Sequence, residues 1–189
     1  MSGRFEGKAA LVVGGAGGIG NAIVTALLAD GAKVAVGDIN EDRLKEMELE
    51  FQGALIGIKT DAISYDDHKN LVEKALETFG KLDLAFNVAG GSKMGLIDTG
   101  SVENWEWTID LCLKGTYLGL KHQIAAMKVC GGGSIVNISS ANAITPMWGD
   151  SAYNAAKKGV ISLTETAMLE NTEYNIRCNA VIPGQIDTK

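Results

Sequence analysis

Six short apolar segments alternate with longer segments of helical spacing along this chain of 189 residues. The apolar segments are bounded by Gly, Asp or Asn and read KAALVV, KVAVGD, ALIGIK, LDLAFNV, SIVNIS and IRCNAVI. Between them, the spacing of apolar residues predicts helices over residues 19–30, 41–51, 65–79, 102–127 and 151–171. A chain that alternates strand and helix in this way is expected to form an α/β sheet.

The predicted strands are nearly continuous apolar runs, which indicates parallel strands that are covered on both faces by helices. We therefore expect a doubly wound parallel sheet, the Rossmann fold, as one three-layer α/β/α domain over residues 1–189. Ligands bind such a fold at the carboxyl ends of the strands, so the loops after strands are the informative ones. The sequence stops directly after a predicted strand and a Pro-Gly turn, and we expect the last helix and strand of such a domain to be missing.

Charge and cysteine content argue against several classes of function. The net charge is -6 with no basic stripe, so neither nucleic acid nor an anionic membrane is an expected partner. The three cysteines, Cys112, Cys130 and Cys178, are far apart and form no C-x-x-C pair, which predicts neither a disulfide framework nor a metal site. The first apolar run breaks at Gly14, too early for a signal peptide or a membrane span. We expect a cytoplasmic protein that acts on a small, soluble molecule.

The first predicted strand runs into VGGAGGIG, residues 13–20, which fits two glycine patterns. Counted from Gly15 it reads G-x-G-x-x-G, the general dinucleotide-binding pattern, and counted from Gly14 it reads G-x-x-x-G-x-G. In either frame the glycines would permit a tight turn and a close approach to a pyrophosphate, which would lie on the amides that open the next helix. A tight turn without a ligand is the alternative.

Carboxylates follow the second and third predicted strands. Asp38 lies eighteen residues after Gly20, where a carboxylate can accept hydrogen bonds from an adenosine ribose. It disfavours NADP because it would repel a 2′-phosphate, although Arg43, one helical turn further on, is a cation that could offset this. For Asp61, the sequence by itself favours a helix cap or turn over a contact with adenine.

Tyr153 and Lys157 are four residues apart in SAYNAAKKG and share one face of a predicted helix. A nearby ammonium and a nicotinamide ring would favour the phenolate of such a tyrosine, which could then exchange a proton with a substrate alcohol during hydride transfer. Ser140, thirteen residues earlier at a predicted strand end, could hold the substrate oxygen. A surface Tyr/Lys pair and a strand-end cap are the alternatives.

Five motifs occur in the order and spacing of one enzyme family: VGGAGGIG, NVAG at 87–90, Ser140, YNAAK and PGQIDT at 183–188. On these motifs, the chain resembles the short-chain dehydrogenase/reductase family over essentially its whole length. The family pattern T-G-x-x-x-G-x-G implies the frame of Gly14, with Val13 where threonine is usual. The resemblance implies an NAD-dependent oxidoreductase that interconverts a secondary alcohol and a ketone.

The resemblance also implies roles for single residues. Ser140 would donate to the substrate oxygen, Tyr153 would transfer the proton, and Lys157 would lower the pKa of the tyrosine and bind the nicotinamide ribose. For Asp61, the resemblance favours an adenine contact over the turn. The residues that it assigns to NAD, besides Tyr153 and Lys157, are Gly14, Gly18, Ile19, Gly20, Asp38, Ile39, Asp61, Ala62, Asn87, Ala89, Gly90, Pro183, Ile186 and Thr188.

Cys112, in DLCLKG, departs from the family pattern. It occupies the place of a fourth catalytic residue, an asparagine that organises a water between the lysine and solvent. A thiol is a weaker hydrogen-bonding partner than an amide, so proton transfer at Cys112 could be slower. The alternative is that Cys112 packs as a small apolar side chain and the lysine reaches solvent by another route.

Two other classes of function compete with the oxidoreductase. One is an NAD-binding protein with little catalysis and a regulatory or structural role, which Cys112 and the early ending favour. The other is a Ser-His-Asp hydrolase, which fits poorly because His68 and His122 are expected on helix surfaces rather than at strand ends.

Predictions about the assembly and the substrate pocket rest on the family resemblance and on where residues fall in the predicted elements. The resemblance implies a homodimer or homotetramer through the helices at 102–127 and 151–171. These helices carry more apolar side chains than one sheet face should cover: Trp105, Trp107, Ile109, Leu111, Leu113, Leu118, Leu120, Ile161, Leu163 and Met168. The positions expected around an alcohol or ketone substrate suggest a partly apolar pocket and are Ser92, Met94, Asn142, Met147, Trp148 and Gln185.

Overall fold

The computed structural model describes residues 3–187, and within them the strands form one six-stranded parallel sheet. The strands are β1 (Ala9–Val13), β2 (Lys33–Asp38), β3 (Leu55–Lys59), β4 (Leu84–Asn87), β5 (Gly133–Ile138) and β6 (Ile176–Val181). Their order in the sheet is β3-β2-β1-β4-β5-β6. The order reverses between β1 and β4, and a ligand crevice is expected outside the carboxyl ends of the strands at this reversal.

The helices follow the strands in the expected alternation. They are α1 (Gly18–Ala29), α2 (Glu41–Glu50), α3 (Tyr65–Phe79), α4 (Val102–Ile109), α5 (Gly115–Cys130) and α6 (Ser151–Asn171). The side chains of Asn40, Ser64 and Ser101 each accept a backbone N–H three residues further on, and so fix the starts of α2, α3 and α4.

Two clusters of buried apolar side chains hold the helices against the two faces of the sheet. On one face, α3, α5 and α6 contribute Leu71, Met127 and Ala167. On the other, α1 and α2 contribute Val24 and Met47. Burying a large aliphatic side chain fully is worth about 1.5–3 kcal/mol, so these contacts stabilise the layers strongly. The doubly wound, three-layer α/β/α architecture expected from the sequence is confirmed.

Two local features differ from the sequence predictions. The helix predicted over 102–127 is divided into α4 and α5 by a π-helical turn, Asp110–Lys114. His68, expected on a helix surface, is buried, with its Nε2 2.9 Å from the carbonyl oxygen of Ala62. The surface assignment of His68 was wrong because this contact draws the ring into the space between α3 and the loop after β3.

Candidate active site

The glycine loop between β1 and α1 fits the frame that starts at Gly14. Gly14 has a φ of +79°, and a Cβ at this position would lie 2.6 Å from the backbone nitrogen of Ala89. A Cβ on Gly20 would overlap the carbonyl group of Gly14. Glycine is therefore required at both positions for the start of α1 and the loop after β4 to approach the end of β1.

The N-terminus of α1 fits an anionic ligand. Its N-cap residue, Gly17, has no side chain to accept hydrogen bonds from the first amides, and Gly17 and Gly18 are both exposed. The first amides of a helix carry partial positive charge and bind phosphate groups well. The loop and the first turn of α1 could therefore hold the pyrophosphate of a dinucleotide.

A cleft of about 510 Å³ opens beside the glycine loop, at the reversal of strand order. It contains ten of the residues that the sequence assigned to the cofactor: Gly14, Gly18, Ile19, Gly20, Asp38, Ile39, Asp61, Ala62, Ala89 and Gly90. Val13, Thr60, Val88, Trp107 and Leu111 complete much of its wall.

Asn87 is not part of this wall. Its amide nitrogen donates to Gln123 at 2.9 Å and to Asn137 at 2.8 Å, and its amide oxygen accepts from Gln123 at 2.8 Å. Asn137 in turn donates to Thr164 on α6. Because this buried network uses the side chain of Asn87 to join β4 to its neighbours, Val88 lines the cleft where Asn87 was expected.

Asp38 lies at the end of β2 with its carboxylate at the cleft. One oxygen accepts the backbone N–H of Ala16 at 3.0 Å and the other that of Asn40 at 3.1 Å. A carboxylate offers about four acceptor positions, so both oxygens keep capacity for ribose hydroxyls. Arg43, the cation that could have accommodated a 2′-phosphate, is paired with Glu46 at 2.9 Å.

Asp61 makes the turn expected from the sequence, while its adenine contact stays a prediction. Its Oδ1 accepts the N–H of Ile63 at 3.0 Å, which makes a turn after β3, and its own N–H donates to Asp67 at 2.8 Å. Its side chain is exposed and also lines the cleft. A turn and a cofactor contact are therefore compatible at Asp61.

The structure brings Ser140, Tyr153 and Lys157 together where β5 ends. Tyr153 and Lys157 lie one turn apart on α6, and the side chain of Ser140 is close enough to that of Tyr153 to lower the pKa of the tyrosine. The ammonium nitrogen of Lys157 donates to the carbonyl oxygen of Ile138 at 2.8 Å and lies 5.4 Å from the centroid of the Tyr153 ring. A hydroxyl, a phenol and a buried cation thus share one end of the sheet.

Burial dominates the acid-base properties of this group. Burial raises the pKa of Tyr153. Hydrogen bonding by Ser140 lowers this pKa, and the charges of Cys112 and Asp150 raise it further. Burial also lowers the pKa of Lys157. We expected Lys157 to lower the pKa of Tyr153, but the residue that lowers it here is Ser140, and burial raises it more strongly.

Cys112 lies in the π-helical turn and is 0% exposed. Its thiol donates to the carbonyl oxygen of Gly91 at 3.2 Å, and its sulfur accepts the N–H of Gly91 at 3.5 Å. Burial raises the pKa of the thiol, which the charge of Lys157 lowers. These contacts join the π-helical turn to the loop after β4 and favour the packing interpretation, while a catalytic role for Cys112 stays a prediction.

The segment after β6 lies beside the loop that carries Ser140. The carbonyl oxygen of Pro183 accepts the N–H of Ala141 at 2.8 Å, which holds the segment next to the loop that carries Ser140. Ile186 is exposed and is not part of the cleft wall. Thr188 lies outside the described residues. Nicotinamide contacts from Pro183, Ile186 and Thr188 stay predictions.

The loops after β4 and β5 carry most of the positions that were expected around a substrate. A second cavity, of about 420 Å³, lies between the loop after β4 and the starts of α4 and α6. Sequence reasoning missed Asp150, a buried residue that accepts hydrogen bonds from Ser92 and Asn142. An acidic residue three positions before Tyr153 was the only available signal. The exposed side chains near these loops include Ser92, Met94, Met147, Trp148 and Gln185.

A doubly wound sheet with a glycine-lined cleft and a Ser, Tyr and Lys group beside it defines a Rossmann-fold dehydrogenase. The family model described as short chain dehydrogenase matches residues 8–189. Trans-4-hydroxycyclohexanecarboxylate dehydrogenase of Sinomonas cyclohexanicum is 36% identical over 197 residues, covering 100% of this chain and 76% of the relative.

Two solved structures agree with this result. A short-chain type dehydrogenase/reductase from Mycobacterium ulcerans superposes with a TM-score of 0.95 at 33% identity, covering 98% of this chain and 70% of that chain. An NAD+-bound xylitol dehydrogenase gives a TM-score of 0.92 at 30% identity, with coverage of 96% and 71%. The chain belongs to the short-chain dehydrogenase/reductase family and is an oxidoreductase that acts on CH-OH groups.

Within residues 3–187, none of the helices is long and apolar enough to cross a membrane.

Proposed function

We propose that the protein is an NAD-dependent dehydrogenase that interconverts a secondary alcohol and a ketone, with Tyr153 as the proton-transfer residue. One observation carries this proposal: Ser140, Tyr153 and Lys157 lie beside the glycine-lined cleft, whose wall includes Asp38. The cleft fits a dinucleotide, and the three side chains fit an alcohol or ketone next to it. A bound nicotinamide cofactor would supply the hydride acceptor for alcohol oxidation.

Residues of the chain itself carry out the proton transfer. The oxygen of Ser140 accepts the N–H of Asn142 at 3.2 Å, and its hydroxyl proton, directed toward Tyr153 before a substrate binds, would then be donated to the substrate oxygen. In alcohol oxidation, Tyr153 acts as the phenolate and takes the proton of the substrate hydroxyl as the carbonyl forms; in the reverse direction, the neutral phenol returns it. Lys157, fixed by the Ile138 carbonyl, supplies a buried positive charge next to the tyrosine ring.

Asp38 supports NAD over NADP in this proposal. A 2′-phosphate placed at the end of β2 would face this carboxylate, and two like charges about 4 Å apart repel by about 4 kcal/mol at an effective dielectric constant near 20. Arg43, the cation one helical turn further on, is already paired with Glu46. We therefore assign the ribose hydroxyls of NAD to Asp38.

The proposal includes a homodimer or homotetramer, although fewer of the ten apolar side chains named from the sequence are exposed than expected. Of the ten apolar side chains, Leu118 and Leu120 are buried, and only Trp105, Trp107 and Met168 count among the exposed large hydrophobic residues. Val102, Tyr117, Val129 and Leu169 on the same helices are exposed as well, so the apolar surface available for association consists partly of other side chains than expected. Light scattering at micromolar concentration should show a dimer or larger species.

The direct rival is an NAD-binding protein with little catalysis, favoured by the thiol of Cys112 where the family has an amide. A panel of secondary alcohols with NAD and NADP separates the two functions. Turnover that Tyr153→Phe lowers by about 10²- to 10⁴-fold, the range for a general acid-base residue, supports the dehydrogenase. Cofactor binding, measured by calorimetry, should survive in this variant.

The matched control is Tyr117→Phe, at an exposed tyrosine on α5. It should leave turnover and cofactor affinity unchanged. Cofactor binding without turnover of any alcohol or ketone would favour the rival, and equal rates for Tyr153→Phe and wild type would refute the mechanism.

A further inference from the structure

Asp150 is a buried carboxylate, 4% exposed, immediately before α6. It occupies the N-cap position of this helix, yet its side chain makes no capping hydrogen bond. Instead, one carboxylate oxygen accepts from the hydroxyl of Ser92 and the other from the amide nitrogen of Asn142, at 3.4 Å for the latter. Among residues 3–187, no lysine, arginine or histidine forms an ion pair with it.

These bonds determine which atoms Ser92 and Asn142 can offer to a ligand. A serine hydroxyl has one proton and two lone pairs, and a carboxylate can only accept. Since the Ser92 proton is directed to Asp150, the oxygen of Ser92 has only acceptor capacity left. One N–H of the Asn142 amide is likewise directed to Asp150, which leaves its carbonyl oxygen as an acceptor and its second N–H as a donor. We call Ser92, Asn142 and Asp150 the acceptor wall.

The acceptor wall lies next to the proposed catalytic group. Asn142 comes two residues after Ser140, and its N–H binds the Ser140 oxygen. Asp150 precedes Tyr153 by less than one helical turn, and Ser92 is exposed at the end of the segment that follows Gly90 in the cleft wall. A backbone bond of 2.7 Å from Gly95 to Gly149 holds the two loops together. The wall is thus a fixed surface beside the reacting position.

We infer that Asp150 is a positioning residue that makes this wall accept hydrogen bonds, and that the enzyme thereby selects alcohols which carry a second hydroxyl group. The inference rests on the proposed function and specifies its substrate class. A second hydroxyl of a diol or polyol can donate to Ser92 or Asn142, whereas a hydrocarbon ring cannot. A substrate carboxylate would meet lone pairs and the negative charge of Asp150, and is disfavoured.

Substrates that share one ring test this inference. They are cyclohexanol, the 1,2-, 1,3- and 1,4-cyclohexanediols, and trans-4-hydroxycyclohexanecarboxylate. With wild type and NAD, at least one diol should have a kcat/KM about tenfold or more above that of cyclohexanol, mainly through KM, since a site that binds a substrate hydroxyl discriminates against its absence. The hydroxycarboxylate should fall below cyclohexanol.

Two variants should remove this preference, which is measured as the ratio of kcat/KM for the diol to kcat/KM for cyclohexanol, so that a change common to both substrates cancels. Ser92→Ala deletes an exposed acceptor without affecting the core, and Asp150→Asn removes the negative charge of the wall and adds a donor at this position. Both should bring diol and cyclohexanol to similar kcat/KM values, and Asp150→Asn should raise the relative rate with the hydroxycarboxylate. The controls are Asp98→Asn and Ser162→Ala, at exposed positions, and neither should alter the ratios.

The outcomes separate this inference from the function on which it rests. If wild type oxidises cyclohexanol and every diol equally well, or if Asp150→Asn and Ser92→Ala slow all substrates by one common factor, the acceptor wall does not select substrate and the dehydrogenase proposal stands. If wild type oxidises none of them, or any other secondary alcohol, with either cofactor, the proposed function fails and the inference fails with it.

Discussion

The glycine loop and the acceptor wall face the same end of the sheet but are built in different ways. The loop is one continuous segment, residues 13–20, whose shape depends on backbone freedom at Gly14 and Gly20. The wall is assembled by side chains from two loops, with Ser92 and Asp150 separated by 58 positions in the chain. A requirement for glycine can be recognised in the local sequence, whereas a contact between side chains that are distant in the chain cannot.

The largest effect is expected from adding one methyl group to the loop. Gly14→Ala would place a Cβ 2.6 Å from the Ala89 nitrogen, so the loop must shift away from β4, and we expect NADH affinity to fall by about 100-fold, or about 2.7 kcal/mol. Gly53→Ala is the matched control, because Gly53 also has a φ of +79° but no atom within 4 Å of its Cβ position.

The control should cost about 1–2 kcal/mol in the free energy of unfolding through backbone strain, with unchanged NADH affinity. Calorimetric titration and thermal melting measure both quantities. Equal affinities for the two variants would mean that crowding at Gly14 does not shape the cofactor site.

A smaller effect should follow from neutralising Asp38. Wild type should bind NADH much more tightly than NADPH, and Asp38→Asn should narrow this ratio by about tenfold, or about 1.4 kcal/mol, because the repulsion of the 2′-phosphate is removed. Asp42→Asn, at a side chain that is 94% exposed on α2, is the control and should keep the wild-type ratio. Similar affinity of wild type for both cofactors would remove Asp38 from the cofactor assignment.

The sequence predicted those parts of the molecule that depend on local pattern. Each predicted strand is present, and the Gly14 frame is supported because a Cβ on Gly14 would lie 2.6 Å from the Ala89 nitrogen, whereas one on Gly17 would meet nothing closer than 3.8 Å. The π-helical turn was not predicted, since one extra residue in a turn barely disturbs apolar spacing near a helical period. His68 and Asp150 were misjudged or missed because their burial depends on partners, Ala62 and Ser92, that come from other segments.

Cys112 tests whether the family resemblance predicts the effect of a single replaced residue. Its thiol bonds both backbone groups of Gly91, so Cys112→Asn should bury an amide without matched partners and cost about 1–3 kcal/mol of stability with no gain in turnover. Cys130→Asn, at an exposed cysteine, is the control. Faster turnover with an unchanged melting temperature would instead support an impaired proton path through Cys112.

The smallest effect concerns the pH dependence that the acceptor wall imposes on Tyr153. After burial, the charge of Asp150 is among the causes that raise the pKa of this tyrosine, together with Cys112, while Ser140 lowers it. Because alcohol oxidation requires the phenolate, Asp150→Asn should move the rise of kcat/KM for cyclohexanol to lower pH. Asp98→Asn should leave the profile in place. A shift to higher pH would place the Asp150 charge out of reach of Tyr153.

The most direct test of the central claim is to follow the hydrogen on the carbinol carbon. Wild type is incubated with NAD and cyclohexanol, or the preferred diol, carrying deuterium at the reacting carbon, and the reduced cofactor is analysed by mass spectrometry. We expect one deuterium per reduced cofactor, and a loss of about 10²- to 10⁴-fold in the rate of its transfer in Tyr153→Phe. Reduced cofactor without deuterium, or transfer at the wild-type rate in Tyr153→Phe, would contradict hydride transfer assisted by Tyr153.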